Sequence, residues 1–190
     1  MPRRSAATAA KTLFLVRHAK SSWKEVGLAD RERPLSGRGT RDAPRMGARL
    51  ARRDVRPELL VTSPAVRAVQ TAEAMALALG RGPADVLVDE GIYDAGPEEL
   101  MEVIRRFDDQ VRHAMLVGHN PALTELANRL AECDIENVPT CGVVILSLAT
   151  DTWTTAGDCP ATLLEFLSPK SRRRKPLSKN DVTGENPETA

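Results

Sequence analysis

Cysteine is scarce in these 190 residues: Cys133, Cys141 and Cys159 are the full complement, and no two share C-x-x-C spacing. An odd number without paired spacing excludes a disulfide framework, and each reads as a small buried apolar residue. Long apolar runs are missing as well. Stretches such as Leu13-Phe14-Leu15-Val16 fall far short of the roughly 20 residues that cross a bilayer. Residues 1–12 carry Arg3, Arg4 and Lys11 among Ala, Ser and Thr, without the apolar core of a secretory leader. These absences together predict a cytoplasmic protein with no membrane contact. Neither sign of charge dominates: 27 Lys and Arg against 26 Asp and Glu leave a net +1, so no global field favours nucleic acid. The usual metal spacings are absent too, with no H-E-x-x-H, no acidic loop and no cysteine pair, and no metal or other cofactor is expected.

What is present is a globular composition, 42% hydrophobic and 28% charged, in a length that suits one domain. The domain is expected over residues 12–168, after a flexible segment at 1–11. Residues 169–190 begin with a basic run (Lys170, Arg172, Arg173, Arg174, Lys175) and continue through a polar stretch, Pro176 to Ala190. Such a composition buries too little surface to order itself. It reads as a solvated tail, the alternative being a contact with an acidic partner.

Short apolar runs alternate with helical patterns. Strands are expected at Leu13 to Val16, Leu59 to Thr62, Val86 to Val88, Ala114 to Val117, Val143 to Leu148 and Leu163 to Leu167, with Trp153 to Ala156 as a further antiparallel edge. Helices are expected from Ser63-Pro64, as N-cap and first residue, to Leu79, and over 97–107 and 121–131. A fourth covers Thr40 to Arg53, where Pro44 either sets the start near Ala43 or kinks the helix. This alternation predicts an α/β sandwich with a mostly parallel sheet.

Ligands of such sheets sit beyond the carboxyl ends of the strands. Arg17 and His18 follow the first strand there, Ser63 and Arg67 the second, and Gly118, His119 and Asn120 the fourth. Two guanidiniums, two imidazoles and two helix N-termini would make one anion pocket. Phosphoryl transfer asks for a nucleophile in line with the leaving group and for charge on the equatorial oxygens. A neutral His18 can attack phosphorus and form a covalent intermediate that water then hydrolyses, with the arginines in place of a metal. Lys20 and Ser21, on the following loop, can reach the phosphate or the substrate. Trp23 is expected to pack over that loop, Lys24 and Arg33 to be solvated. His113 precedes a strand and has no companion motif.

These residues resemble a known family. Leu15-Val16-Arg17-His18-Ala19 is similar to the R-H-G motif of the histidine phosphatase superfamily, which also holds the cofactor-dependent phosphoglycerate mutases. The segment from Thr62-Ser63-Pro64 through Arg67-Ala68-Val69-Gln70-Thr71-Ala72 resembles its S-P-x-x-R-A-x-Q-T-A motif, and Gly118-His119-Asn120-Pro121 its G-H-N-P motif. Arg17-His18-Ala19-Lys20-Ser21-Ser22-Trp23, the run from Asp30 to Gly39, and Gly91-Ile92-Tyr93-Asp94-Ala95 resemble the SixA-like phosphohistidine phosphatase branch. The resemblance implies a three-layer α/β/α, phosphoglycerate-mutase-like fold. It implies His18 as nucleophile, and Arg17, Arg67 and His119 as the phosphate pocket. Glu90 sits roughly where the family places its general acid, with Asp94 beside it, although a phosphoramidate leaving group can do without a strong acid. Ala19 departs from the usual glycine, and Lys24 stands where mutases carry asparagine. The insert with which mutases cover the site is missing between Thr71 and His119. An open site of this kind suits a phosphoprotein, a phosphohistidine phosphotransfer domain for instance; a small phosphorylated metabolite is the alternative substrate.

Overall fold

The computed structural model describes residues 10–25 and 27–171. The N-terminal segment up to residue 9 and the tail from residue 172, including Arg172, Arg173, Arg174 and Lys175, lie outside them. Lys11, expected ahead of the domain, already belongs to the first strand, where its ammonium donates to the carbonyls of Asp109 (2.6 Å) and Val111 (2.8 Å).

Six strands form one sheet: β1 (Lys11–Arg17), β2 (Leu59–Thr62), β3 (Val86–Val88), β4 (His113–Gly118), β5 (Val143–Leu148) and β6 (Ala161–Leu167). Their spatial order is β3-β2-β4-β1-β5-β6. The first four run parallel, while β5 and β6 pair antiparallel, with a register shift between Ile145 and Leu146. Four helices connect them: α1 (Gly37–Ala51), α2 (Val66–Ala78), α3 (Pro97–Arg105) and α4 (Ala122–Ala131). None of the described helices is long and apolar enough to cross a membrane.

Strand side chains alternate between faces, and the core divides accordingly. Phe14, Val16, Leu60, Met115 and Val117 pack with α1 and α2; Leu13, Leu15, Val61 and Leu116 pack with α3 and α4. Each fully buried Leu or Met contributes about 1.5–3 kcal/mol. Three layers result, as expected from the alternation of strands and helices. Where α1 crosses α2, a Cβ on Gly47 would stand 2.7 Å from the Ala78 methyl, so glycine sets the spacing of the two helices.

Three local expectations need correction. Helix α1 starts neither at Thr40 nor near Ala43 but at Gly37; Ser36 caps it by accepting from the Gly39 amide at 3.2 Å, and it runs through the proline. Pro44 and Thr40, whose carbonyl loses its partner there, are both exposed, so water can satisfy it. Ser63 is not the N-cap of α2, which begins two residues after Pro64 with Ala65 as its cap. Trp153 to Ala156 forms turns rather than an edge strand, because the Trp153 ring is fully buried against Phe107 and its indole N–H donates to the Val111 carbonyl at 2.8 Å.

Candidate active site

The central strands β1, β4 and β2 end side by side and deliver their polar residues to one place. The His18 amide donates to the Gly118 carbonyl at 3.0 Å, and the Ser63 amide to the Val117 carbonyl at 3.0 Å, so the three strand ends are stitched together. On the other side of β1, the Cys141 amide donates to the carbonyls of Arg17 (3.0 Å) and His18 (3.1 Å). Cys141 reaches both by adopting a left-handed backbone, φ 62°. Ala19 faces the α1–α2 core, so its methyl is absorbed there, and its amide donates to the Thr71 hydroxyl at 2.9 Å. That hydroxyl in turn donates to the Arg67 carbonyl at 2.7 Å, tying the first motif to the second.

The His18 ring nitrogen Nδ1 lies 2.8 Å from the Ala19 carbonyl oxygen. A carbonyl only accepts, so Nδ1 carries the proton and Nε2 keeps its lone pair. Burial pushes the imidazole down to about 4; the Ala19 bond opposes this, and the charges of Arg67, Arg17 and Arg33 add to it. His18 is therefore neutral at pH 7. His119 faces it at 5.1 Å between ring centroids, tilted by 56°. Its Nε2 pairs with the Ser63 hydroxyl at 2.7 Å, which is where the hydroxyl expected to cap α2 is used. Burial, then His18 and Arg67, hold His119 at about 3. Its Nδ1 is buried and makes no hydrogen bond among the described residues, nor does Arg17 Nε. Buried polar atoms left over in this way are the groups available to a ligand.

Arg17 is held from behind. Its Nη1 donates to the Val138 carbonyl (2.8 Å) and to Asn137 Oδ1 (3.2 Å), and the Asn120 amide donates to the same two oxygens at 3.1 and 2.8 Å. Asn120, expected in the anion pocket as a substrate contact, thus braces the segment at Asn137 and Val138 that holds Arg17. Arg67, in the first turn of α2, is buried and donates to Asp30 from both terminal nitrogens, to the carbonyl (2.5 Å) and to Oδ2 (2.8 Å).

Arg33, expected to be solvated, is instead buried. Its guanidinium donates to Asp30 Oδ1, to the Ser21 hydroxyl and to the Ser22 carbonyl (3.2 Å), and stacks on the Trp23 ring 3.3 Å from its centroid. The Ser21 hydroxyl, expected to face substrate, is thereby engaged. Trp23 covers Arg33 with one face and remains 72% exposed. Lys20 is exposed, while its carbonyl accepts from the Ser36 amide (2.8 Å) and hydroxyl (2.9 Å) and lies so close to α1 that a Cβ on Gly39 would stand 2.2 Å away. Glu90 is at the rim, with its side chain 70% exposed and bound to Arg31 at 2.6 Å. Neither histidine bonds to it. Tyr93, three residues on, sets its ring edge-on to His119 at 5.8 Å and donates to Asp30 Oδ2 at 3.3 Å.

Asp30, Arg33 and Tyr93 were missed by residue-level reasoning. The available signal was the i,i+3 spacing of Asp30 and Arg33, which marks an ion pair on a single turn and not two solvated charges.

Chemically, the site sets a neutral imidazole with a free lone pair among three guanidiniums and a second neutral imidazole. That arrangement suits attack on an anionic phosphorus centre. The profile of the histidine phosphatase superfamily (branch 1) matches residues 13–96. An uncharacterized protein of Mycobacterium tuberculosis is 33% identical over 165 residues, covering 82% of this chain and 100% of its own. Among solved structures, a protein assigned as phosphohistidine phosphatase SixA from Agrobacterium tumefaciens superposes with a TM-score of 0.72 at 28% identity, over 84% of this chain and 98% of that one. The protein histidine phosphatase SixA in complex with tungstate shares the fold, with a TM-score of 0.70 at 20% identity over 83% and 97%. The chain therefore belongs to the histidine phosphatase superfamily, in its SixA-like branch, and is a phosphatase.

Proposed function

We propose that this phosphatase removes phosphate from phosphohistidine on proteins, by way of a covalent phosphohistidine at its own His18. The observation that carries the reading is the tautomer of His18: with Nδ1–H given to the Ala19 carbonyl, Nε2 is the nucleophilic nitrogen at neutral pH. Its lone pair attacks phosphorus, and the bond from phosphorus to the substrate's imidazole nitrogen breaks. The departing ring keeps the electron pair and takes up a proton. Water then attacks the phosphorus on His18, the P–Nε2 bond breaks, and inorganic phosphate leaves.

Arg17, Arg67 and His119 hold the phosphoryl oxygens in this reading, with Ser63 keeping the His119 ring in place. Guanidinium charge serves where other phosphatases use a metal ion. An imidazole leaves more readily than an alkoxide, so a strong general acid is not required, which suits a rim carboxylate such as Glu90 that is bound to Arg31. A macromolecular substrate is supported by the short segment between β3 and α3 and by the exposure of Lys20 and Trp23 at the mouth. A cytoplasmic location is part of the reading, in keeping with Cys133, Cys141 and Cys159 as free thiols.

The test is to incubate the full chain and its His18→Ala variant with a phosphorylated histidine phosphotransfer domain and, in parallel, with a panel of sugar and nucleotide phosphates. Faster release from the domain, lost in the variant and accompanied by acid-labile, alkali-stable label on His18, is expected. Comparable or better rates on a metabolite would turn the assignment to a small-molecule phosphomonoesterase.

A further inference from the structure

Asp30 joins three elements of the site. Arg67 reaches it from α2, Arg33 from the end of its own 3-10 turn, and Tyr93 from the segment after β3. Both terminal nitrogens of the buried Arg67 are committed to this one residue. The Asp30 carbonyl and Oδ2 together offer the Arg67 guanidinium two oxygens, as two oxygens of a phosphoryl group would, and of the two only Oδ2 carries charge. We propose that Asp30 is a resident counter-anion of the phosphate pocket, which holds Arg67 in position and competes with phosphate for it. The proposal rests on Arg67 being a phosphate ligand, as in the function proposed above.

Charge gives the reason. Arg17, Arg33 and Arg67 bring three positive charges to a site whose two histidines are neutral. Asp30 reduces these to a net of two, matching a phosphoryl group of about two negative charges. Partial burial works against ionisation of Asp30, but the hydrogen bonds and charges of Arg67 and Arg33 outweigh it and hold its carboxyl below the usual value, so the carboxylate is present throughout the neutral range. Without it the pocket would bind inorganic phosphate more tightly as product. Tight product binding slows turnover and does nothing for the transition state.

Exposure gives the means. The Arg67 side chain is 8% exposed and cannot leave, whereas that of Asp30 is 50% exposed. The turn Asp30–Glu32 buries none of its residues, so the carboxylate can yield its place without opening the core.

The test is product inhibition of the full chain by inorganic phosphate. Asp30→Asn keeps the shape and removes the charge. Its inhibition constant is expected to fall roughly tenfold, the scale of one unit charge a few ångströms away in a partly solvated site, and kcat is expected to fall with it. An inhibition constant that stays the same or rises in Asp30→Asn, while Arg67→Met weakens phosphate inhibition, overturns the proposal and leaves Arg67 a phosphate ligand. If Arg67→Met also leaves phosphate inhibition unchanged, the reading of the site falls together with the inference. Asp30→Ser is a second variant on the same exposed turn, expected to tighten phosphate binding in the same sense; thermal unfolding of each variant establishes that it is folded.

Discussion

Acid should weaken this fold through His18 and His119. In the unfolded chain an imidazole titrates near 6.5, whereas in the folded protein His18 is held at about 4 and His119 at about 3. Both folded values are depressed, so the stability they carry is fully present above pH 6.5. It is lost as the pH falls, because the unfolded chain takes up protons that the folded site refuses. At pH 5 both histidines are still neutral in the folded state, and each has lost about 2 kcal/mol, from about 1.36 kcal/mol per pH unit below 6.5. The pair should then account for about 4 kcal/mol between pH 7 and pH 5, a large part of the 5–15 kcal/mol that typical domains possess. Below pH 4 the two rings titrate as a coupled pair, since each charge acts on the other.

Urea unfolding at pH 7, 6 and 5 measures the effect in the parent protein and in His18→Asn and His119→Asn. Each variant lacks one titrating group and should lose about 2 kcal/mol less stability than the parent over the same interval. Carboxylates such as Glu58, whose carboxyl is held low by the Arg112 amide, add an acid loss common to all three proteins. Ring resonances of labelled histidine provide an independent reading, with His18 expected to change near pH 4. Equal pH slopes in all three proteins, or a His18 midpoint near 6.5 in the folded state, would refute the reasoning.

Other consequences can be measured directly. His18→Asn should form no phosphoenzyme and lose about 1,000-fold or more in kcat/KM, followed by quench and acid-labile label. Glu90→Gln should change turnover of a phosphohistidine substrate by less than about threefold while slowing an alkyl phosphomonoester by about tenfold, since an alkoxide needs the proton more. Gly39→Ala forces a methyl to 2.2 Å from the Lys20 carbonyl oxygen and should cost about 1–3 kcal/mol, read by chemical denaturation, with activity falling as the loop after His18 shifts. Trp23→Ala removes the ring that covers Arg33; it should lower kcat/KM on the phosphorylated protein about tenfold or more and act much less on a small phosphoramidate, as expected of an exposed aromatic anchor.

Much of the site could be read in the sequence because strand ends are local signals. Arg17-His18, Ser63 with Arg67, and His119 each follow an apolar run, and a parallel sheet brings such ends together whatever the intervening helices do. What stayed hidden depends on partners distant in the chain. Arg33 carries a charge in a polar stretch, and only the Ser21 hydroxyl, the Trp23 ring and Asp30 make its burial favourable. Ser63 fits the pattern of a helix cap, yet the imidazole of His119, 56 residues later, has the stronger claim on its hydroxyl. Trp153 has the pattern of an edge strand and is drawn into the core by the Val111 carbonyl and the Phe107 ring. In each case a long-range bond outbid a local preference.

The central position of β1 has a consequence for how the chain acquires its activity. Its two neighbours are β4 and β5, about 100 residues or more downstream, so the strand that leads into His18 finds no sheet partner until most of the domain has been synthesised. Contacts of such sequence separation slow folding, since a long loop must close before any of them forms. A nascent chain stalled before His113 would hold Arg17 at the end of an unpaired apolar strand, with His18 just after it, exposed to aggregation and to chaperones. Assembly of the candidate site should accordingly be among the last events of folding, and recovery of phosphatase activity on refolding should lag behind recovery of helical signal.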